Sequence, residues 1–304
     1  MSNYPVITVA PESVLESEQL GTKDKFWFNT DGGYLGKSQW LFKFPTEGTG
    51  QHWAEKIACE IAKQMKIVTP RVELAVFEGV RGSATENFTK DGYELFHGNQ
   101  ILAGFEPSYQ AGLMWNQNDH TIGRIFDAIR NIFMEPDAAR KAADQMAGYL
   151  VLDALICNVD RHHENWGILR KNTPDGMRGR LAPSFDHASS LGRELRDSDS
   201  KNNRERYLRE LGVSKYIERG RCPIFVDGTG QHGPSPFRLV QRCLEIEPLA
   251  PHFRHGMEKL SHLDEAAFPG ILDRIPDGWM SPLAKEFTLS LLLVSLGQLK
   301  SLPR

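Results

Sequence analysis

Apolar residues are spaced in two different ways along the chain, and the change divides it. In the first third they come in short runs. Phe26-Trp27-Phe28 leads into Thr30-Asp31-Gly32-Gly33, and Trp40-Leu41-Phe42-Lys43-Phe44 comes after, stopped by Pro45. Two aromatic runs around a glycine-rich turn predict a hairpin. From Gln51 to Lys66 the spacing turns helical, with Ile57, Ile61 and Met65 sharing a face with Ala54, Ala58 and Ala62. Beyond Pro70, the Val-rich stretch Arg71 to Phe77 predicts a strand. Gly79 to Asn99 is polar and glycine-punctuated, with one strand predicted near Tyr93 to Phe96.

Past residue 112 helical spacing dominates. Ile122, Ile125, Phe126 and Ile129 predict a helix over His120 to Phe133. A longer one over Asp137 to Cys157 carries the stripe Ala139, Ala142, Ala143, Met146, Leu150 and Ala154. A polar cluster, Asn158 to Asn165, comes next. Trp166 to Leu169 then reads as a strand, Lys171 to Arg180 as a turn, and Leu181 to Phe185 as a second strand running into Asp186. The order predicts an α+β, bilobal chain: a strand-rich N-lobe over 1–112 and a helical C-lobe over 113–304.

Composition narrows the class. The 304 residues are 40% hydrophobic and 25% charged, an ordinary globular balance. A net charge of −3 supplies no cationic excess for non-specific nucleic-acid binding, so no direct nucleic-acid contact is expected. The four cysteines form no CxxC pair and read as free thiols of a reducing compartment. No N-terminal signal pattern and no run long enough to span a bilayer are found, so the expectation is a cytoplasmic protein without membrane contact.

The chemistry concentrates in three places. Asn158-Val159-Asp160-Arg161-His162-His163-Glu164-Asn165 places charged and amide side chains between a core helix and an apolar strand. Asp186 ends the second predicted strand, and Lys43 sits inside an apolar one. Phosphoryl transfer needs these groups: a carboxylate to orient the attacking hydroxyl, oxygen ligands for Mg²⁺, a cation on the phosphates and a lid over the triphosphate. Asp160 would orient the hydroxyl, Asn165 and Asp186 would hold Mg²⁺, and Lys43 would meet phosphate oxygens of ATP. The five-residue step from Asp160 to Asn165 equals that of the protein-kinase catalytic loop. Asp31 to Ser38 nearly reads as a P-loop, but Asp31 stands where the first glycine belongs, and the loop joins strand to strand. Gly32, Gly33, Gly36, Lys37 and Ser38 are therefore expected in a flexible lid over ATP, the alternative being an ordinary hairpin turn.

These residues, together with Leu41-Phe42-Lys43-Phe44-Pro45 and the helix around Ala54-Glu55-Lys56-Ile57-Ala58, resemble the HipA-like serine/threonine kinases from about Trp40 to Leu191. The resemblance implies a bilobal kinase-like fold, Asp160 as catalytic base, Glu55 as ion-pair partner of Lys43, and autophosphorylation of a serine near the lid, with Ser38 or Thr30 as candidates. It also implies a toxin of a toxin–antitoxin module, with a translation-related protein such as an aminoacyl-tRNA synthetase as substrate. Having about 25 residues before its first predicted strand, the chain resembles a short branch without the extra N-terminal domain. A small cognate antitoxin or accessory protein would then replace that domain. Conventional kinases carry Lys two residues after the catalytic Asp; here His162 stands there, so His162 or Arg161 would neutralise the γ-phosphate.

Competing readings remain open on the residues alone. The same core serves kinases of small molecules and lipid head groups, and a nucleotide-binding pseudokinase would keep it. His162, His163 and His187 with Asp186 suggest a zinc or iron hydrolase, although no H-E-x-x-H is present. The alternative for His162 is a loop organiser bonded to backbone near Asp186. The remaining histidines, His52 and His120 among them, read as surface or capping residues. Arg196 to Arg221 reads as a solvated helical face or a substrate-docking element, and Glu94 to Gly98 as the adenine hinge.

Overall fold

The computed structural model describes residues 2–17, 25–113, 117–174, 176–198 and 201–303. Six strands make the first sheet: β1 (Val6–Thr8), β2 (Val14–Ser17), β3 (Lys25–Asp31), β4 (Lys37–Lys43), β5 (Val72–Phe77) and β6 (Val80–Glu86), in spatial order β1-β5-β6-β4-β3-β2. The predicted hairpin is β3–β4, with Phe28 opposite Trp40 and Phe26 opposite Phe42. Alternation sends these four aromatics to one face, where they pack with Val9, Leu35, Ala75 and Ala84.

Three strands of this sheet escaped the sequence pattern. β1 and β2 precede the expected first strand and are only three and four residues long. β6 reads Val-Arg-Gly-Ser-Ala-Thr-Glu and is buried through small side chains rather than apolar ones. Gly82 is required there, because an added Cβ would lie 2.5 Å from the Phe42 ring and 2.6 Å from the Lys43 carbonyl.

Helix α1 (Gln51–Gln64) begins at Gly50 and packs on β5 and β6. Ala54, Ile57, Ala58, Ile61 and Ala62 are fully buried, and they share a core with Leu74 of β5. After β7 (Glu94–His97) come α2 (Gly98–Phe105), α3 (Ile122–Ile132) and α4 (Pro136–Ile156). Every residue of α4 from Met146 to Ile156 is buried, and α4 packs against three later helices, α7 (Pro236–Glu245), α8 (Ala250–Glu258) and α10 (Pro282–Lys300). A helix buried on all sides is the centre of its lobe. The short helices α5 (Arg204–Arg206), α6 (Val213–Arg219) and α9 (Ala267–Asp273) complete the set. The architecture is α+β and bilobal, a kinase-like fold with a strand-rich N-lobe and a helical C-lobe. No helix among the described residues is long and apolar enough to cross a membrane.

A second sheet, β7-β8-β9, is built from β7, β8 (Gly167–Thr173) and β9 (Gly176–Leu181). It corrects two expectations. Lys171 to Arg180 is not a turn but most of a hairpin, with Thr173 paired to Gly176. Its β9 strand is exposed up to Leu181, so no apolar alternation marked it. Nor do residues 182–186 form a strand leading into Asp186. Pro183 has no amide hydrogen for a ladder, Ser184 N–H bonds Val68 O instead, and Asp186 sits at φ +57°.

Candidate active site

Register places Lys43. It pairs with Ser83, which pairs with Leu74, and Leu74 packs into the core that α1 shares. Lys43 therefore emerges on the α1 face of the sheet, opposite Trp40 and Phe42. There Lys43 Nζ lies 3.1 Å from Asp186 Oδ1. This corrects the expected ion pair with Glu55. Glu55, 1% exposed, instead accepts a hydrogen bond at Oε1 from the His187 amide, 3.0 Å, and its Oε2 has no partner among the described residues. Burial alone would lower the Lys43 pKa, but Asp186, then Glu55 and Asp160, outweigh it and hold the ammonium above its ordinary value. Burial pushes the Glu55 carboxyl up, yet His187 and Lys43 bring it below its ordinary value. Glu60, the other acid of α1, is committed to Lys56 and Lys63.

The catalytic-loop candidate hangs from the C-terminus of α4. Cys157 ends the helix in the left-handed region at φ +52°. Asp153, one turn earlier, anchors the loop: it takes Asn158 Nδ2 at 2.8 Å, Arg161 Nη2 at 2.7 Å and Arg161 Nε at 2.8 Å. Arg161 spends its remaining donors on Asn165 O, Phe185 O and Ser184 Oγ. One buried guanidinium thus ties the loop to the segment carrying Asp186. The role of organiser near Asp186 given to His162 belongs to Arg161, since His162 Nδ1 accepts from Glu164 N within its own loop. With all its donors committed, Arg161 is also not the cation for the γ-phosphate.

Asp160 and Asn165 meet within the loop. Asn165 Nδ2 donates to Asp160 O at 2.7 Å, and Asn158 Oδ1 accepts from Asp160 N at 3.3 Å. Ser189 Oγ donates to Asp160 Oδ2 at 3.0 Å. Ser184, Ser189 and Arg193 were given no individual role from sequence, and His187 only a place in the zinc or iron alternative. Their signal was faint, polar side chains scattered on either side of Asp186.

The three neighbouring histidines disperse to different partners. His163 Nδ1 shares a hydrogen bond with Tyr109 Oη at 2.7 Å, and His187 Nε2 shares one with Ser184 Oγ at 2.7 Å. Among the described residues, no group of three or more His, Cys, Asp and Glu is placed to hold a metal ion. His52 and His120, expected as surface or capping residues, are buried. Burial depresses His52 to about 4 and His120 to about 3. His97 does cap α2 and bonds Glu164 O. Glu164 accepts from Asn99 Nδ2 at 3.3 Å.

The glycine-rich loop is the turn of the β3–β4 hairpin. Gly33 and Gly36 take φ +67° and +72°, and Gly32 takes +148°. Thr30 Oγ1 donates within the turn, and Ser38 Oγ donates to Glu86. At the tip Leu35 joins the aromatic core of the sheet and Tyr34 Oη donates to Glu73 Oε1 at 2.9 Å. Arg71 stacks on the Tyr34 ring and donates to its carbonyl. Within the 196–221 stretch, Arg204 is buried against Asp197 and Gly192 O, so it is not a solvated residue; part of this stretch, 199–200, lies outside the described residues.

Comparison with known proteins identifies the fold and the family. Over 140 residues the chain is 29% identical to the serine/threonine-protein kinase CtkA of Helicobacter pylori. That match takes in 46% of this chain and 40% of the length of the relative. The crystal structure of the H. pylori proinflammatory kinase CtkA superposes with a TM-score of 0.74 at 20% identity, covering 97% of this chain and 95% of that one. HipA from Shewanella oneidensis, solved with HipB and operator DNA, gives 0.56 at 15% identity, covering 96% of this chain and 66% of that one. These two structures share its fold. Residues 19–219 match the HipA-like C-terminal domain, and the chain belongs to that family.

Proposed function

We propose that the chain is an ATP- and Mg²⁺-dependent serine/threonine protein kinase. The observation that carries the reading is the Lys43–Asp186 ion pair, which joins the last residue of β4 to the segment that Arg161 ties to the Asp160 loop. A strand lysine brought up to an acid beyond the catalytic loop is what positioning of a triphosphate requires.

The donor set suits magnesium. Asn165 gives an amide hydrogen to Asp160 O, which leaves its carbonyl oxygen as the acceptor end, and Asp186 offers a carboxylate. Both are hard oxygen ligands. When bound, the ion would neutralise charge on the phosphates. Lys43 would turn from Asp186 toward phosphate oxygen, with Glu55 behind it as a second negative charge. Gly32, Gly33, Gly36, Lys37 and Ser38 would cover the triphosphate from the hairpin turn. Asp160 would accept the proton of the acceptor hydroxyl and orient it for attack. His162, beside Asp160 in the same loop, is the residue left for the γ-phosphate.

By its kinship the chain would act as the toxin of a toxin–antitoxin module. Its substrate would be a translation-related protein such as an aminoacyl-tRNA synthetase, its partner a small cognate antitoxin, and its setting the cytoplasm. The test is incubation with γ-labelled ATP and Mg²⁺, alone and with bacterial lysate, beside Asp160→Ala. Label that depends on Asp160 supports the kinase. ATP binding without any labelled product removes the protein-kinase reading for those partners. Failure to bind ATP removes the roles of Lys43 and Asp186.

A further inference from the structure

The backbone of Asp160 is fixed by Asn158 and Asn165, but neither touches its carboxylate. Among the described residues the hydrogen bond to that carboxylate comes from Ser189 Oγ, at 3.0 Å on Oδ2. Ser189 Oγ in turn receives Arg193 Nη2 at 3.0 Å. The direction of this chain is not free. A guanidinium can only donate, so Ser189 Oγ accepts from Arg193. An ionised carboxylate can only accept, so the serine hydrogen goes to Asp160.

The ends of the relay are also held. Ser189 is 4% exposed and its carbonyl accepts from Val159 N, within the Asp160 loop. Arg193 N–H bonds Ser190 O, and Arg193 O receives the amide of Gly50, the residue that starts α1. Arg193 Nε is buried without a partner among the described residues. As mere structure such a group is costly. Its guanidinium is held instead where Nη2 reaches Ser189.

We infer that Ser189 and Arg193 are positioning residues for the phosphoryl-transfer reaction: the relay Arg193→Ser189→Asp160 locks the carboxylate rotamer, occupying Oδ2 so that Oδ1 is presented to the acceptor hydroxyl. The inference rests on the kinase reading above. Without the serine hydroxyl the carboxylate rotates about its side-chain torsions while the loop stays in place. The effect therefore falls on turnover and not on nucleotide binding. Small displacements of a reacting group cost on the order of 10- to 100-fold in rate.

The experiment is steady-state phosphate transfer from γ-labelled ATP to whichever acceptor the wild-type protein labels, itself included, with ADP affinity and melting temperature measured on each variant. Ser189→Ala is expected to lower kcat about 10- to 100-fold, with KM for ATP and ADP affinity unchanged. Ser189→Thr, which keeps the hydroxyl, is expected to recover most of that loss. Arg193→Met is expected to lower kcat less, and the double variant to be no worse than Ser189→Ala. Wild-type kcat in Ser189→Ala overturns the inference, as does equal loss in the Ala and Thr variants or full additivity with Arg193→Met. If the wild-type protein itself transfers no phosphate, the kinase reading has failed, an outcome distinct from a wild-type enzyme indifferent to Ser189.

Discussion

Arg161 and Asp153 meet side by side in the core, Nη2 to Oδ1 at 2.7 Å and Nε to Oδ2 at 2.8 Å, each at most 2% exposed. Removing one partner of such a pair strands a buried charge, at a cost of about 3–5 kcal/mol. Arg161→Met is therefore expected to lower the unfolding free energy by that much, and to free the Asp160 loop and residues 184–186 together. Arg161→Lys, which lacks the planar fork, is expected to recover little. Urea denaturation of the two variants checks both statements.

Lys43 should be needed for transfer far more than for folding. Its partner Asp186 is partly exposed, so loss of the pair leaves a carboxylate that water can reach. Lys43→Met is expected to reduce phosphate transfer roughly 10²- to 10³-fold and to weaken ATP binding, with only a modest fall in melting temperature as buried Glu55 loses a nearby cation. Calorimetric ATP titration beside the transfer assay reads both quantities.

Asn165→Ala removes one proposed oxygen ligand and the hydrogen bond to Asp160 O. The Mg²⁺ concentration for half-maximal transfer is expected to rise roughly tenfold or more. A magnesium titration at saturating ATP measures it, and an unchanged midpoint would remove Asn165 from the metal site.

The buried histidines set an acid limit on the fold. His120 is depressed to about 3 and His163 to about 4, burial being the main cause in each. His120 uses both nitrogens, sharing Nδ1 with Pro223 O and taking Trp166 Nε1–H on Nε2. Between these values and the unfolded value of about 6.5, the unfolded chain binds more protons than the native one. Stability is thus complete above about pH 6.5 and falls as the pH drops toward 3. For His120 the full fall is on the order of 5 kcal/mol. Chemical denaturation at pH 7.5, 5.5 and 4.5 is expected to show this slope, and His120→Asn to flatten part of it.

The glycine-rich turn is fastened by Tyr34, which is 59% exposed yet bonded to Glu73 and stacked on Arg71. Because that contact is largely in water, Tyr34→Phe is expected to change global stability by less than about 1 kcal/mol. Amide exchange across residues 32–36 should nevertheless quicken severalfold. Hydrogen-exchange mass spectrometry distinguishes that local opening from any global change.

How much of the fold and site was legible in sequence depends on where each signal is written. The β3–β4 hairpin, α1, α3 and α4 were readable because burial is recorded in periodic apolar residues. β6 and β9 were not, since one is buried through Gly, Ser and Ala and the other is hardly buried at all. In the site, the spacing of Asp160 and Asn165 is local and survived folding as a direct hydrogen bond. The partner of Lys43 was not local. Asp186 is 143 positions away and Glu55 is 12, and only the register of β4 with β6 and the course of residues 182–186 decide between them. Arg161 looked like a cation for phosphate, and only its burial shows that it is a tie between segments.

Asp186 holds φ +57°, a conformation that costs most L-residues but is readily taken by Gly, Asn and Asp. Two separate demands would meet at that one position, a backbone demand and the chemical one proposed above, and few side chains satisfy both. Relaxed selection would loosen only the second. A lineage that abandoned phosphate transfer should therefore drift at 186 toward Asn or Gly while its fold stayed whole, and the identity of that single residue would record whether the ancestral chemistry is still under selection.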